Sequence, residues 1–182
     1  IDMSDEEFIN DIETATKIFK NKLGYSPSIF SYPFGEYSLF MKKYISENFE
    51  IAFGQHSGII DINKDKFELP RFPINEKYGE LKRFKSIIDY NPLEYKTLKP
   101  EEKKLNSKTN PPKLIVEFFK DQKNIQNINC YSNDGGNWKK SNLKFESNIM
   151  IVNFEKPFVP RRGRINCSLN ENGKWKWFGT QF

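Results

Sequence analysis

A chain of 182 residues with 37% apolar and 15% aromatic side chains, led by 17 Phe, can build one ordinary domain or two small ones, which excludes a chain disordered throughout. The net charge of +5 comes from Lys scattered among acidic residues rather than gathered with aromatics in register, so it describes a solvated surface and excludes a nucleic-acid stripe. No apolar run is long enough to span a bilayer, and no signal peptide is visible; since the chain opens at Ile1-Asp2 without Met, it is read as a fragment whose missing leader says nothing about compartment.

Ser4-Asp5-Glu6-Glu7 has the form of a capping box, and Phe8, Ile12, Ala15 and Phe19 follow at helical spacing up to Gly24, which predicts an amphipathic helix over residues 5 to 22. Ser28 to Tyr32 is a short strand-like run that ends in Pro33-Phe34-Gly35. A second helix is predicted over 38 to 48, with Phe40, Tyr44 and Ile45 turned inward and Leu39, Lys43 and Ser46 outward. A strand at Glu50 to Phe53, a loop, a strand at Phe67 to Phe72 and a helix at Gly79 to Ile88 complete a rhythm of βα units around a parallel sheet or barrel.

Near Tyr90 the pattern changes. Residues 91 to 112 hold Pro92, Pro100, Pro111, Pro112 and the charged run Pro100 to Lys104, and are read as a linker or surface excursion. From 113 on, short strand-like runs at Leu114 to Phe119, Asn127 to Tyr131, Asn148 to Phe154, Arg164 to Leu169 and Lys174 to Gly179 alternate with turn signals. Asn172-Gly173 is the strongest of these, a two-residue hairpin signature. The expected fold class is therefore α/β followed by all-β: βα units over 1–90, a linker over 91–112 and a small antiparallel β-sandwich over 113–182. Cys130 and Cys167 both fall in the second half; paired they indicate an oxidising compartment, unpaired they are two buried thiols, and both readings stay open.

Three segments carry chemistry. Tyr32-Pro33-Phe34-Gly35-Glu36-Tyr37 makes a sharp turn at the C-terminal end of a strand, the edge where βα architectures build their sites, although a plain βα turn has the same pattern. Gln55-His56, between Gly54 and Gly58, holds the only histidine, a candidate general acid or base at a second strand end, or an ordinary loop histidine. Arg71, between Pro70 and Pro73, is a cation in an apolar run that points at a carboxylate or into a cleft, or else makes a structural ion pair. In the second half, Trp138, Trp175 and Trp177 offer rings for sugar stacking, but Trp175 and Trp177 share one strand face and fit a core or interface better. Arg161-Arg162-Gly163-Arg164 is either a charged turn or a contact for an anionic polymer.

In this order the three segments resemble the NodB-type polysaccharide deacetylases (carbohydrate esterase family 4), whose third motif is a Pro-aromatic-Gly turn after a barrel strand. The stretches AFGQHSG and LPRFPINE, and RGRINC and KWKWF further on, look like those of a bacterial branch with an appended β-domain. The resemblance implies a partial distorted (β/α) barrel, of which only the C-terminal units lie here, and hydrolysis of acetyl groups, chiefly N-acetyl, from a periplasmic, secreted or envelope polysaccharide. It implies a divalent metal, zinc or similar, held by an Asp and two His that this chain lacks, so the ligands would belong to a missing N-terminal half and the chain alone would be inactive. On the matching positions it makes the Phe34 amide an oxyanion donor, places Tyr32, Pro33, Gly35, Glu36, Tyr37 and Gln55 around the sugar, and gives His56 the part of a general acid and Arg71 that of orienting the catalytic Asp. The rival expectation is a non-catalytic carbohydrate-binding or scaffold protein on the same fold; a nucleic-acid partner and a transmembrane segment are not expected.

Overall fold

A computed structural model describes residues 3–161 and 163–182; Ile1, Asp2 and Arg162, the last of them part of the basic turn noted above, lie outside the described residues. Helix α1 (Asp5–Leu23) starts at the expected box: Ser4 Oγ accepts from the Glu7 amide at 3.2 Å and the Glu7 carboxylate accepts from the Ser4 amide at 2.8 Å. Gly24, in the left-handed region at φ 82°, closes it. Phe8 and Ile12 are buried and Phe19 half-buried, whereas Ala15 is exposed.

Strand β1 (Ile29–Ser31) is followed by the Pro33–Gly35 turn, α2 (Leu39–Asn48) and β2 (Ile51–Phe53). Met41 and Ile45 carry the buried face of α2, with Tyr44 beside them; Phe40, expected inside, is 41% exposed. The helix packs with one turn of side chains on a layer only two strands wide, so the apolar positions one residue away have nothing to cover them.

Strands β1 and β2 pair in parallel, Phe30 opposite Ala52. A third segment runs parallel beside β2 through the Phe53–Leu69 bridge, where the Leu69 amide donates to the Ala52 carbonyl and the Gly54 amide to the Leu69 carbonyl. The strand expected over Phe67 to Phe72 thus forms as this single bridge, because Pro70 and Pro73 withdraw two ladder donors. The described residues show a narrow parallel layer with helices, and no closed barrel. Helix α3 (Leu81–Ile88) has no buried residue; Arg83 ties its start to the carbonyls of Pro73 and Tyr78.

The stretch 91–112, expected as a linker, enters both sheets that follow. It holds β3 (Asn91–Pro92) and β4 (Thr97–Lys99). After these come β5 (Lys113–Glu117), β6 (Asn129–Ser132), β7 (Lys139–Lys140), β8 (Asn142–Glu146), β9 (Ile149–Asn153), β10 (Arg164–Glu171) and β11 (Lys174–Gln181). One sheet has the order β3-β11-β10-β6-β7 and the other β4-β5-β9-β8. All ladders in the two sheets are antiparallel except the β3–β11 contact. Alternation along β5 and β10 sends every second side chain inward, so Leu114, Val116, Met150 and Val152 of one sheet meet Cys130, Ile165, Cys167, Leu169 and Phe178 of the other in one core. Cys130 and Cys167, directly opposed in the β6–β10 ladder, form a disulfide. The β10–β11 hairpin turns at Asn172-Gly173 with φ of 53° and 84°, as its sequence predicts.

A buried polar knot braces the far edge. Asp134 accepts from Ser132 Oγ at 2.7 Å and from the amides of Glu155 and Lys156, and pairs with Lys139 at 3.1 Å, while Ser141 donates to Ser132 Oγ. Burial pushes its carboxyl upward, but the bonds from Ser132, Lys139 and the Lys156 amide outweigh that and hold it below the ordinary range.

Candidate functional site

The three singled-out segments meet at one edge. Because β1, β2 and the Leu69 segment are parallel, the turns that leave them emerge on the same side: Tyr32–Gly35 after β1, Gly54–Gly58 after β2, and Pro70-Arg71 after Leu69. Hydrogen bonds knit them together. The Tyr32 amide donates to the Phe53 carbonyl at 3.0 Å, the Arg71 amide to the His56 carbonyl at 3.0 Å, and Arg71 Nε to the Gly54 carbonyl at 3.1 Å.

The first turn is built by conformation rather than by side-chain bonds. The Gly35 and Glu36 amides return to the carbonyls of Tyr32 and Pro33, which forces Phe34 into the left-handed region at φ 57° and leaves the residue 62% exposed. An aromatic residue is costly there, of the order of 1 kcal/mol or more. Gly35 has φ 79°, and a Cβ on it would lie 2.6 Å from the Gln55 amide nitrogen, so glycine is required twice over. Pro33 is exposed and Glu36 half-buried beside it.

Tyr32 and Tyr37, expected around a sugar, are instead the floor of the turn, only 1% and 2% exposed, with rings 4.6 Å apart. Tyr37 donates to Glu68 at 2.8 Å, and Glu68 with Asp65 receives Lys42. Burial, and then the neighbouring carboxylates, raise both phenols well above their ordinary range. Both are therefore neutral rings that shape the turn from beneath.

His56 is likewise inside, 5% exposed. Burial first, then the charges of Lys103 and Arg164, lower its pKa to about 3, with only the Gln181 side chain acting the other way. The ring is thus a neutral imidazole at physiological pH, wedged beside Gly54, where an added Cβ would lie 2.8 Å from its Nδ1. A neutral, enclosed ring is a poor general acid; its place is structural, supporting the turn from which Arg71 hangs. Arg71 is exposed and makes no ion pair among the described residues; its Nε bond to Gly54 is the contact that fixes it.

The second half of the chain closes over this edge, which the sequence did not indicate. Gln181, on the last strand, accepts from the Gln55 amide at 3.3 Å. Gly179 approaches the Ser57 carbonyl so closely that no Cβ could stand there. Trp177 lies between Phe72 (5.3 Å) and Tyr90 (5.8 Å), so the interface reading of its strand face holds for Trp177, while Trp175 is 43% and Trp138 52% exposed. Lys103, from the expected linker, is 4% exposed, and Arg161 places its guanidinium 5.7 Å above the Phe34 ring. Arg161 belongs to the basic turn that the sequence marks, whereas nothing in the local patterns around Lys103 or Gln181 marks them, since both are brought in by contacts distant in sequence.

A divalent metal does not fit these residues. No group of three or more His, Cys, Asp or Glu converges among the described residues, and the one imidazole faces two cations, an environment that opposes a metal ion. No helix of the described residues is long and apolar enough to cross a membrane. No family model matches the sequence, and neither a curated protein nor a solved structure matches it.

Proposed function

We propose that the chain is the C-terminal portion of a polysaccharide deacetylase that hydrolyses acetyl groups, chiefly N-acetyl, on an envelope or extracellular polysaccharide. The observation that carries this reading is the convergence of the strained Phe34 turn, the Gly54–Gly58 turn and Arg71 on the C-terminal edge of parallel strands. In this reading the Phe34 amide donates to the oxyanion that develops on the acetyl carbonyl, and its exposed ring meets the sugar. Arg71 orients a carboxylate supplied by the rest of a distorted (β/α) barrel. The catalytic metal and its ligands belong to that other part, because this chain's residues do not fit one. The Cys130–Cys167 disulfide agrees with a periplasmic, secreted or envelope location.

Acetate release from a chitooligosaccharide, with zinc or cobalt added, tests the reading on this chain and on a version extended upstream. Release by the extended version alone, lost in its Arg71→Ala variant, is the expected result. No release from an extended version that carries an Asp and a His pair would refute it.

The second reading, a carbohydrate-binding or scaffold protein without catalysis, is favoured by the burial of His56 and by the exposure of Trp138 and Trp175. Retention on insoluble polysaccharide without acetate release would select it.

A further inference from the structure

Where the two halves meet, a cleft of about 260 Å³ opens beside the Phe34 turn, with Glu36, Lys103, Arg161, Phe158 and Phe182 among its walls. Three of its lining residues are cations, since Lys104 joins Lys103 and Arg161, against the single carboxylate of Glu36. Lys103 is the unusual one. It is 4% exposed, its Nζ donates at 3.0 Å to the Pro100 carbonyl, and it has no carboxylate within ion-pair distance among the described residues. An ammonium has three donors, so two are left over. Burial lowers its pKa to about 8, with Glu68 and, more weakly, Glu101 and Glu102 acting against that and Lys42 acting with it, which leaves it charged at neutral pH.

A buried ammonium whose carboxylates act on it only from beyond ion-pair distance keeps two donors for an anion that can reach it directly. The mouth of the cleft points the same way by an independent route. Phe34 and Arg161, at φ 57° and 67°, are both non-glycine residues in the left-handed region, and the Arg161 guanidinium lies over the Phe34 ring. Asn124, Ser147 and Asn172 share this conformation singly, in turns; only at the cleft do two such residues face each other. The rings of Phe158 and Phe182, 5.5 Å apart, supply apolar walls, and the Lys103 ammonium stands 5.6 Å from the centre of the Phe182 ring. The volume is just below the ~300–1,000 Å³ of ordinary small-molecule sites, which suits one ring rather than a length of chain.

We propose that this cleft binds the carboxylate of a single acidic sugar residue, with Lys103 as its counter-ion and Arg161 at the entrance. The carboxylate follows from the cleft itself, while the sugar rests on the polysaccharide reading above. A singly charged group matches one buried ammonium with two free donors, the planar fork of Arg161 at the entrance suits a carboxylate, and the aromatic walls match the apolar face of a pyranose.

The test is a titration of the ¹⁵N-labelled chain with glucuronate, glucose, acetate and inorganic phosphate at low salt, followed by amide shifts. Saturable shifts with glucuronate, confined to residues 103–105, 158–161 and 181–182, and absent with glucose, are expected. Lys103→Met, which keeps the volume and removes the charge, should weaken glucuronate at least about tenfold while leaving Tm unchanged or raised. Absence of saturable shifts, shifts elsewhere, or unchanged affinity in Lys103→Met would overturn the proposal. Equal affinity for acetate or phosphate would overturn its sugar part. Should Lys103→Met fail to fold, Arg161→Gln and the wild-type shift map decide on the same terms. Since binding is read on this chain without turnover, its failure is separate from a failure to release acetate.

Discussion

Among the described residues, thirteen buried apolar side chains from both sheets and the segments beside them meet in one cluster in the second half, whereas the cluster in the first half has seven, two of them tyrosines. The surface shows the inverse. Fifteen large apolar residues stand exposed before residue 91, from Met3 to Ile88 with Ile62 at 92%, and five after it. Two sheets facing each other cover one another's inner sides, so alternation alone buries half of every strand. A layer of two short parallel strands and a bridge offers no such second surface, and its helices find little to pack on. The difference teaches that the second half holds its own core, while the first half leans on that core at Trp177, Gly179 and Gln181 and leaves the remainder of its apolar surface uncovered. An upstream part of a barrel, as proposed, would cover it.

The sharpest way to break this comparison is to cut a cavity in each half. Phe118, fully buried in the larger cluster, should cost about 3–5 kcal/mol as Phe118→Ala, measured by urea unfolding. Phe8→Ala, at the rim of the smaller cluster, should cost clearly less; equal losses would mean that the two cores are equally tight.

The disulfide comes next. It spans 37 residues of the second half, so its removal in the double variant Cys130→Ala, Cys167→Ala should release about 3–4 kcal/mol of constraint on the unfolded chain. The expected drop in Tm should match the effect of reductant on the parent protein. No drop would show that packing alone secures the sheets.

The junction between the halves should respond to pH through His56. Its folded pKa of about 3 lies below the 6.5 of an unfolded histidine, so between these values the unfolded chain binds a proton that the folded chain refuses. Stability must therefore fall as pH drops from about 6.5 towards 3, with a slope of at most ~1.4 kcal/mol per pH unit. His56→Asn should flatten the unfolding free energy between pH 6 and 4 relative to the parent. Parallel curves would place the ring in water. The smallest effect is expected at Phe40, where Phe40→Ala should change stability by less than about 0.5 kcal/mol, since 41% of that side chain already faces solvent.

Legibility in the sequence followed the range of the interactions. The Ser4–Glu7 box, the Gly24 stop, the Asn172-Gly173 hairpin and the alternation along β5 and β10 are decided within a few residues, and each appears where its pattern predicts. The candidate site was legible only as three segments. That they share an edge follows from parallel pairing, but what the edge contains does not: the resemblance implies Tyr32 and Tyr37 around a sugar and His56 as a general acid, and the structure puts all three inside. Strand-end position announces where a turn emerges, whereas burial depends on what later packs over it.

What the sequence determined by itself, then, is the class of the locally coded segments such as α1 and the β10–β11 hairpin, the change from βα units to strands near residue 90, and the tightness of its turns, because capping, alternation and left-handed glycines are local free energies. What only the tertiary structure decided is the membership of the two sheets, the entry of residues 91–112 into both, the Cys130–Cys167 pairing, and the junction where Lys103, Arg161 and Gln181 close over the Phe34 turn. Those contacts join residues as far apart as Gln55 and Gln181, and their energies exist only once the two cores have formed and lie against each other.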